Sequence, residues 1–275
     1  MVHTITGAVR LHDAFRSRFV KEPRDIIVYL PPDYDSARSR RYPVLYLHDG
    51  QNLFDPETAF NHNEWGVDKV AEHLILNGEI EPLLIVGIYN TGSRRMVEYT
   101  HVPDYRGRGG LAREYGKMIA SDLKPFIDRE YRTLPSSVNT GLGGSSLGGL
   151  VTMYLGLRYP EVFGKLLVMS PSVWWGNRDI LKKVYRANHK GSQKIWLDVG
   201  TCEGSNPQSC LRNVEDLRDA LILKGWRLGQ DLEFVADEGA GHDEKAWGAR
   251  VGQALKFLFP HPVPSPAPVS SFRVG

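Results

Sequence analysis

Several features that would mark a specialised class of protein are missing from this 275-residue sequence. It has only two cysteines, Cys202 and Cys210, and their spacing matches no zinc-binding or redox motif. We therefore expect two free thiols, with a local disulfide as the alternative if the protein is exported. No apolar run has the length of a membrane span, and residues 1–6 lack the basic and apolar stretches of a signal peptide. These absences favour a cytoplasmic protein over one whose leader has been removed.

Charge of one sign is also missing, because 34 Lys and Arg residues are balanced by 32 Asp and Glu residues. The basic residues are interspersed with acids, so the sequence offers no concentrated positive field for nucleic acid. A hydrophobic fraction of 41% and a charged fraction of 24% are typical of a globular protein with a large core. We expect no nucleic-acid or membrane partner, and the oligomeric state stays open.

Alternating strand-like and helix-like segments fill most of the chain. Apolar runs that end in Gly or polar residues predict strands at residues 6–11, 24–30, 42–48, 82–88, 138–142, 163–169, 194–199 and 232–236. Apolar residues at helical spacing predict helices at 67–74, 115–127 with a bend near Pro125, 150–157, 214–223 and 247–258. The alternation predicts an α/β fold with a mainly parallel central sheet, helices on both faces and two antiparallel N-terminal strands.

The domain organisation follows from the lack of a polar linker in the middle of the chain. Residues 1–262 are expected to form a single domain, since α/β folds of this size are common. Residues 263–275 continue a proline-rich segment, which predicts a disordered tail.

A candidate nucleophile lies in the segment Gly144-Ser145-Ser146-Leu147-Gly148. It fits G-x-S-x-G, the turn between a strand and a helix that raises a serine hydroxyl above the end of a sheet. Glycines are needed because the serine backbone is strained and a Cβ two residues to either side would collide with the crossing strand and helix. A short buried strand precedes the motif and an apolar helix follows it. Ser146 is therefore a candidate nucleophile, and a Gly/Ser-rich surface turn is the alternative.

Two more polar residues follow strand-like runs, Glu203 first and then His242 in a Gly-rich loop. The chain order Ser, acid, His is the order found in α/β-hydrolases. His242 would accept the proton of Ser146 during attack and return it to the leaving alcohol. Glu203 would hold the imidazole in the correct tautomer. Asp198, within its strand, and Asp243, beside the histidine, are alternative acids.

Candidate binding groups lie in the neighbouring loops. The N–H groups of Leu147 and Gln51 are the candidate donors of an oxyanion hole. Asn90 follows a buried strand, and Trp174 and Trp175 follow another, so these side chains are candidates to line a substrate pocket. For the two tryptophans, plain packing is the alternative. No pattern supports a metal, nucleotide or flavin, and we expect no cofactor.

Five segments together resemble the "Putative esterase" family, which includes enterochelin-esterase-like proteins, feruloyl and acetyl-xylan esterases, S-formylglutathione hydrolases and mycolyltransferases. The segments are V-Y-L-P-P-D-Y at 28–34, L-H-D-G at 47–50, G-S-S-L-G-G at 144–149, D-V-G-T-C-E at 198–203 and G-H-D at 241–243. The resemblance spans roughly residues 20 to 260. It implies an α/β-hydrolase fold without a large cap domain, and a serine-histidine-acid mechanism with no metal.

The sequence departs from the family pattern at two positions. Many relatives have His-Gly where this chain has Asp49-Gly50, so Gln51 is placed in the oxyanion hole by analogy alone. The acid is often Asp, whereas the matching residue here is Glu203. Some relatives work with a serine-histidine pair, which would leave Glu203 dispensable.

The combined prediction is a serine carboxylesterase that hydrolyses small or short-acyl esters through an acyl-enzyme. Alternatives are acyl transfer or thioester hydrolysis at the same site, and a feruloyl- or sugar-ester specialist. A further alternative is a catalytically silent binding protein on the same scaffold. The partner expected in each enzymatic case is a small-molecule ester, of which the sequence specifies neither half.

Overall fold

A computed structural model describes residues 4–187 and 191–261 of the chain. The described residues contain one eight-stranded sheet with the strand order β1-β2-β4-β3-β5-β6-β7-β8. The strands are β1 Ala8–Phe15, β2 Arg24–Leu30, β3 Val44–His48, β4 Leu84–Ile88, β5 Thr140–Ser145, β6 Lys165–Met169, β7 Lys194–Gly200 and β8 Leu232–Asp237. The predicted tail at 263–275 lies outside the described residues.

Eight α-helical segments in these two ranges surround the sheet. They are α1 Val67–Leu76, α2 Arg95–Glu98, α3 Ala112–Lys117, α4 Lys124–Glu130, α5 Leu147–Arg158, α6 Trp175–Arg186, α7 Pro207–Leu223 and α8 Glu244–Leu258. None of the helices in the described ranges combines the length and apolar character needed to cross a bilayer.

The pairing of the strands confirms the predicted mixed sheet. β1 pairs antiparallel with β2, and β2 pairs antiparallel with β4, while the remaining neighbours pair in parallel. β1 extends beyond the predicted residues 6–11, because its pairing with β2 continues to Phe15 after an irregularity at which Ala14 has a φ of 51°. The antiparallel strands therefore form one edge of an otherwise parallel sheet.

Both faces of the sheet are buried, as predicted from the apolar runs. Along β3, Val44 and Tyr46 pack in the core on one face, together with helices α3 to α7. Leu45 and Leu47 pack in the core on the opposite face, together with α1 and α8. A strand covered on both faces needs apolar side chains in both directions, which explains the continuous apolar run.

Helix α6 is not among the helices predicted from the sequence. Its first turn is irregular, because Gly176, Asn177 and Arg178 all have positive φ angles of 54° to 61°. The regular part presents only Ile180 and Val184 as buried apolar residues. So short an apolar stripe gives little periodic signal.

The bend predicted near Pro125 is a π-helical segment, Met118–Leu123, between α3 and α4. Pro125 lies in the first turn of α4. Proline has no N–H and its ring clashes with the carbonyl of the preceding turn, so regular α-helical bonding cannot run through it. A wider turn just before the proline is a common solution.

Candidate active site

Ser146 is the single residue between β5 and α5. Its backbone angles, φ 58° and ψ −121°, are ones that non-glycine residues rarely adopt. A Cβ at Gly144 would lie 3.0 Å from the ring of His48 and 3.1 Å from the backbone of Gly148. A Cβ at Gly149 would lie 2.7 Å from the carbonyl oxygen of Met169. At Gly148 the nearest atom would be 3.5 Å away, which is an ordinary contact. The closest approach thus occurs at Gly149, with a tight contact at Gly144, whereas the sequence analysis placed the collisions at Gly144 and Gly148.

The structure brings Ser146, His242 and Glu203 together in a line. The Oγ of Ser146 lies 2.9 Å from the Nε2 of His242, and the Nδ1 of His242 lies 2.7 Å from the Oε2 of Glu203. The Glu203 side chain is 4% exposed and that of His242 is 35% exposed. Because the carboxylate accepts from the Nδ1–H, the Nε2 is left as an acceptor for the serine hydroxyl.

The two alternative acids face other partners. Asp198 accepts a hydrogen bond of 2.7 Å from the indole N–H of Trp196 and lies 3.1 Å from the guanidinium of Arg250. Asp243 caps α8 by accepting from the N–H of Ala246. Of the three candidate acids, only Glu203 contacts the imidazole of His242.

The two expected oxyanion donors, Leu147 and Gln51, both lie close to Ser146 in the fold. Leu147 is the first residue of α5, and Gln51 lines the same cavity as Ser146. Within the described ranges, neither backbone N–H donates a hydrogen bond to another residue, so both are available to a substrate oxygen. Gly50 holds the Gln51 loop tightly against β4, since a Cβ there would lie 2.5 Å from the backbone of Gly87.

The sequence analysis assigned no partner to Asp49, the residue before Gly50. Its backbone is left-handed, with φ 57°, and its carboxylate is buried. The Arg95 side chain binds both carboxylate oxygens at 2.8 Å and 2.7 Å, and the Asn90 amide donates a third bond of 2.8 Å. Burial would raise the pKa of Asp49, but Arg95 and Asn90 hold that pKa below its usual value. The loop of Gln51 is therefore anchored by an ionised carboxylate.

Ser146 and His242 line two cavities at once. The smaller has a volume of about 190 Å³ and is walled by Ser172, Trp174, Val199 and Val214, among others. The larger has a volume of about 480 Å³, and most of its lining residues are polar or charged; they include Gln51, Phe60, Asn90, Arg95, Glu244 and Trp247. Ser146 and His242 thus lie where a mainly apolar cavity meets one with many polar lining residues.

The residues expected to line a pocket are divided by the structure. Trp174 is 57% exposed and lines the small cavity, and Asn90 lines the large one. Trp175 does not line either cavity: it is only 5% exposed, packs in the core, and donates its indole N–H to the carbonyl of Val102 at 2.8 Å. The expectation that Trp175 lines the pocket is wrong, and the alternative of plain packing holds. An indole that finds both apolar neighbours and a hydrogen-bond acceptor is stable in the interior.

The sequence analysis did not predict that the Ser172 hydroxyl lies near Ser146. The Oγ of Ser172 lies 3.4 Å from the Oγ of Ser146, and the N–H of Ser172 donates to the Ser146 carbonyl. A single serine in a loop has no pattern that would indicate this position.

Two other expectations concern cysteines and metals. Cys202 and Cys210 are free thiols in the structure. Over residues 4–187 and 191–261, no group of three or more His, Cys, Asp or Glu side chains is placed to hold a metal ion.

A mainly parallel sheet with a serine on the turn between the carboxyl end of a central strand and the next helix defines an α/β-hydrolase. Comparison with known proteins then gives the family. The chain belongs to the "Putative esterase" family, whose model matches residues 17–258. It is thus an esterase, an enzyme that hydrolyses carboxylic esters.

Three similar proteins illustrate the family. The iron(III) salmochelin esterase of Escherichia coli O6:H1 is 32% identical over 82% of this chain and 51% of its own length. The ferri-bacillibactin esterase BesA of Bacillus subtilis is 29% identical over 80% of each chain. The crystal structure of an IroE-like serine hydrolase from Shewanella oneidensis superposes with a TM-score of 0.75 at 22% identity, covering 92% of this chain and 80% of that one. This last likeness shows the shared fold.

Proposed function

We propose that the protein is a serine carboxylesterase in which Ser146 attacks the ester and carries the acyl group as an acyl-enzyme. The observation that carries the proposal is the unbroken line of hydrogen bonds from Ser146 through His242 to Glu203, at 2.9 Å and 2.7 Å. These are the distances at which a base takes a proton from a hydroxyl and a carboxylate orients that base.

The chemistry follows from these positions. His242 Nε2 takes the hydroxyl proton as Ser146 Oγ bonds to the carbonyl carbon, and the carbonyl oxygen becomes an oxyanion that the N–H groups of Leu147 and Gln51 bind. The C–O bond to the alcohol then breaks, and His242 gives its proton to the leaving oxygen. Water repeats the sequence on the acyl-enzyme: its proton passes to His242 and then to Ser146, which releases the acid. Glu203 stabilises the imidazolium in both halves.

The two cavities support a placement of the two halves of the ester. A volume of about 190 Å³ with apolar walls accommodates a short acyl chain or a single ring. The larger space beside Arg95 and Glu244 accommodates a polar alcohol, because buried charges and amides favour hydroxyl partners over hydrocarbon. The substrate class is therefore a small molecule with a compact acyl group and a polar alcohol half. The siderophore esters named for the bacterial relatives above support a polar ester of this kind.

The test is hydrolysis of p-nitrophenyl esters from acetate to long chains by the wild type and by Ser146→Ala. We expect short-chain activity that the substitution abolishes without changing the circular dichroism spectrum. A fluorophosphonate probe should label the wild type at Ser146 and leave the variant unlabelled. Full activity in folded Ser146→Ala would refute the proposal, and added alcohols that outcompete water for the acyl group would redirect it to acyl transfer.

A further inference from the structure

The residue directly after β6, Ser170, lies behind the candidate triad and is only 2% exposed. Its Oγ lies 2.5 Å from the Oε1 of Glu203, the carboxylate oxygen that His242 does not use. Two further groups contact the same Oγ: the indole Nε1 of Trp247 at 2.9 Å and the Nη2 of Arg250 at 3.1 Å. The hydroxyl is thus in contact with three polar atoms.

The types of these partners fix where the hydroxyl proton points. An indole N–H and a guanidinium are donors and cannot accept a hydrogen bond. Both lone pairs of the Ser170 oxygen are therefore occupied by N–H donors, and its single proton is left for Glu203 Oε1. The Gly200 N–H donates to the same carboxylate oxygen at 2.6 Å. Glu203 is consequently surrounded by donors, an arrangement that suits an ionised carboxylate.

Arg250 supplies the positive charge for this buried region. Its side chain is 4% exposed, and its Nη2 lies 3.1 Å from Asp198 Oδ1 and 3.9 Å from Glu203 Oε1. Its Nη1 lies 3.1 Å from Asp237 Oδ2 at the end of β8. Buried carboxylates need a counter-charge to stay ionised. One guanidinium therefore serves three carboxylates, two of them buried, and reaches Glu203 mainly through the Ser170 hydroxyl.

We propose that Ser170 and Arg250 are positioning residues for ester hydrolysis, which hold Glu203 as an acceptor in the orientation that His242 requires. The proposal rests on the function proposed above. Trp247 of α8 connects Ser170 to His242 directly. Its indole N–H donates to Ser170, and its ring packs edge-on against the His242 ring, with the ring centroids 5.0 Å apart and the ring planes at 83°. Arg250 lines neither of the two cavities, whereas Ser170 contributes to the wall of the small one.

The charged groups around His242 come from several elements of the fold. Glu203 from the β7–α7 loop and Asp243 and Glu244 at the start of α8 are acidic groups next to or near the ring, while Asp198 and Asp237 lie behind Glu203. The Cys210 thiol of α7 lies beside Glu203. Arg250 is the cation on this side, and Arg95 faces Glu244 across the larger cavity. Loss of the Ser170 hydroxyl removes one of the donors that hold the Glu203 carboxylate in these surroundings, so its orientation toward His242 is less firmly fixed.

The test compares Ser170→Ala, Arg250→Lys and the double variant with the wild type on a short-chain p-nitrophenyl ester. Arg129→Met, which removes a surface arginine of α4, is the matched control. We expect Ser170→Ala to lower kcat about 10-fold to 100-fold with little change in KM, the scale of one hydrogen bond to a charged group. Arg250→Lys keeps the charge but not the forked contacts, so it should lower kcat less. The double variant should lose less than the product of the two effects, because both residues act on one carboxylate.

A readout independent of turnover separates positioning from general stability. The Nδ1 proton of His242, observed by NMR in a Ser146→Ala background, should change its chemical shift in Ser170→Ala, because Glu203 is no longer held in the orientation of that hydrogen bond. An unchanged Nδ1 proton shift in a folded Ser170→Ala protein would overturn the proposal, whether kcat falls or only the melting temperature does. Because this NMR measurement needs no catalysis, failure of this inference is distinguishable from failure of Ser146 as the nucleophile.

Discussion

Arg95 and Asp49 form a two-point ion pair in which Nε and Nη2 lie 2.8 Å and 2.7 Å from the two carboxylate oxygens. The pair connects the short helix α2 to the loop that carries Gln51. The Asp49 side chain is 7% exposed and that of Arg95 is 28% exposed. The charge of the arginine is thus largely used within the protein, although the residue lines the larger cavity.

Arg95→Met should destabilise the protein and displace the Gln51 loop, because a buried carboxylate is left without its cation. Removing one partner of a buried pair costs about 3 to 5 kcal/mol of unfolding free energy. Urea unfolding measures this loss, and Arg106→Met, at an exposed arginine in the loop before α3, is the control. Equal unfolding free energies for the two variants would contradict the anchoring role.

Glu203→Gln should lower kcat by about 10³-fold to 10⁴-fold, the loss expected when the orienting carboxylate no longer fixes the histidine tautomer. Asp198→Asn should lower kcat far less, since Asp198 contacts Trp196 and Arg250 rather than the imidazole. Steady-state rates on one short-chain ester compare the two directly. A larger loss of kcat in Asp198→Asn than in Glu203→Gln would show that Glu203 is not the acid that orients His242.

Trp174→Ala should shift the acyl preference toward longer chains, because it removes an exposed wall of the small cavity. The measurement is the ratio of kcat/KM for octanoate and acetate esters. Trp175→Ala is the matched control at the neighbouring position: it should cost about 3 to 5 kcal/mol of stability as a buried truncation and leave the ratio unchanged. An unchanged ratio in Trp174→Ala would place the acyl group in the other cavity.

Low pH should decrease the unfolding free energy of the protein partly through His48, whose ring lies close to the turn that carries Ser146. Burial lowers the pKa of His48 to about 3, whereas an unfolded histidine titrates near 6.5. Between these values the unfolded chain binds one more proton than the folded protein, so the unfolding free energy falls as the pH falls. One such group contributes up to about 1.4 kcal/mol per pH unit.

His48→Gln tests this contribution in urea unfolding experiments between about pH 4.5 and 6. The variant should lose less stability per pH unit than the wild type, even if it is less stable at neutral pH. Two parallel profiles would show that His48 contributes nothing to the acid sensitivity.

The sequence alone predicts most of the sheet and the three residues of the candidate triad, because their signals are local. Gly144 and Ser146 are required by the geometry of one turn, and the strands at 82–88 and 163–169 are apolar over their whole length. Glu203 and His242 each lie in the loop after a strand, so the order of residues along the chain already predicts that they meet at the carboxyl ends of the strands.

The rest depends on contacts that no local pattern contains. Trp175 is a residue type that often lines pockets. Only its hydrogen bond to the carbonyl of Val102 shows that the indole N–H finds an acceptor in the core. Arg250 has the appearance of a surface residue on an amphipathic helix, yet the docking of α8 on the sheet buries it beside Asp198. Such pairings arise from tertiary packing, which overrides what each segment prefers by itself.

The dependence of the site on α8 has a consequence for protein synthesis. Ser146 leaves the ribosome long before His242, Trp247 and Arg250, and the Glu203 carboxylate has neither its base nor its cation until they arrive. Under the proposed mechanism, a nascent chain therefore carries a serine with no group to take its proton, and it cannot yet hydrolyse an ester. Hydrolysis under that mechanism begins in one late step, when α8 docks.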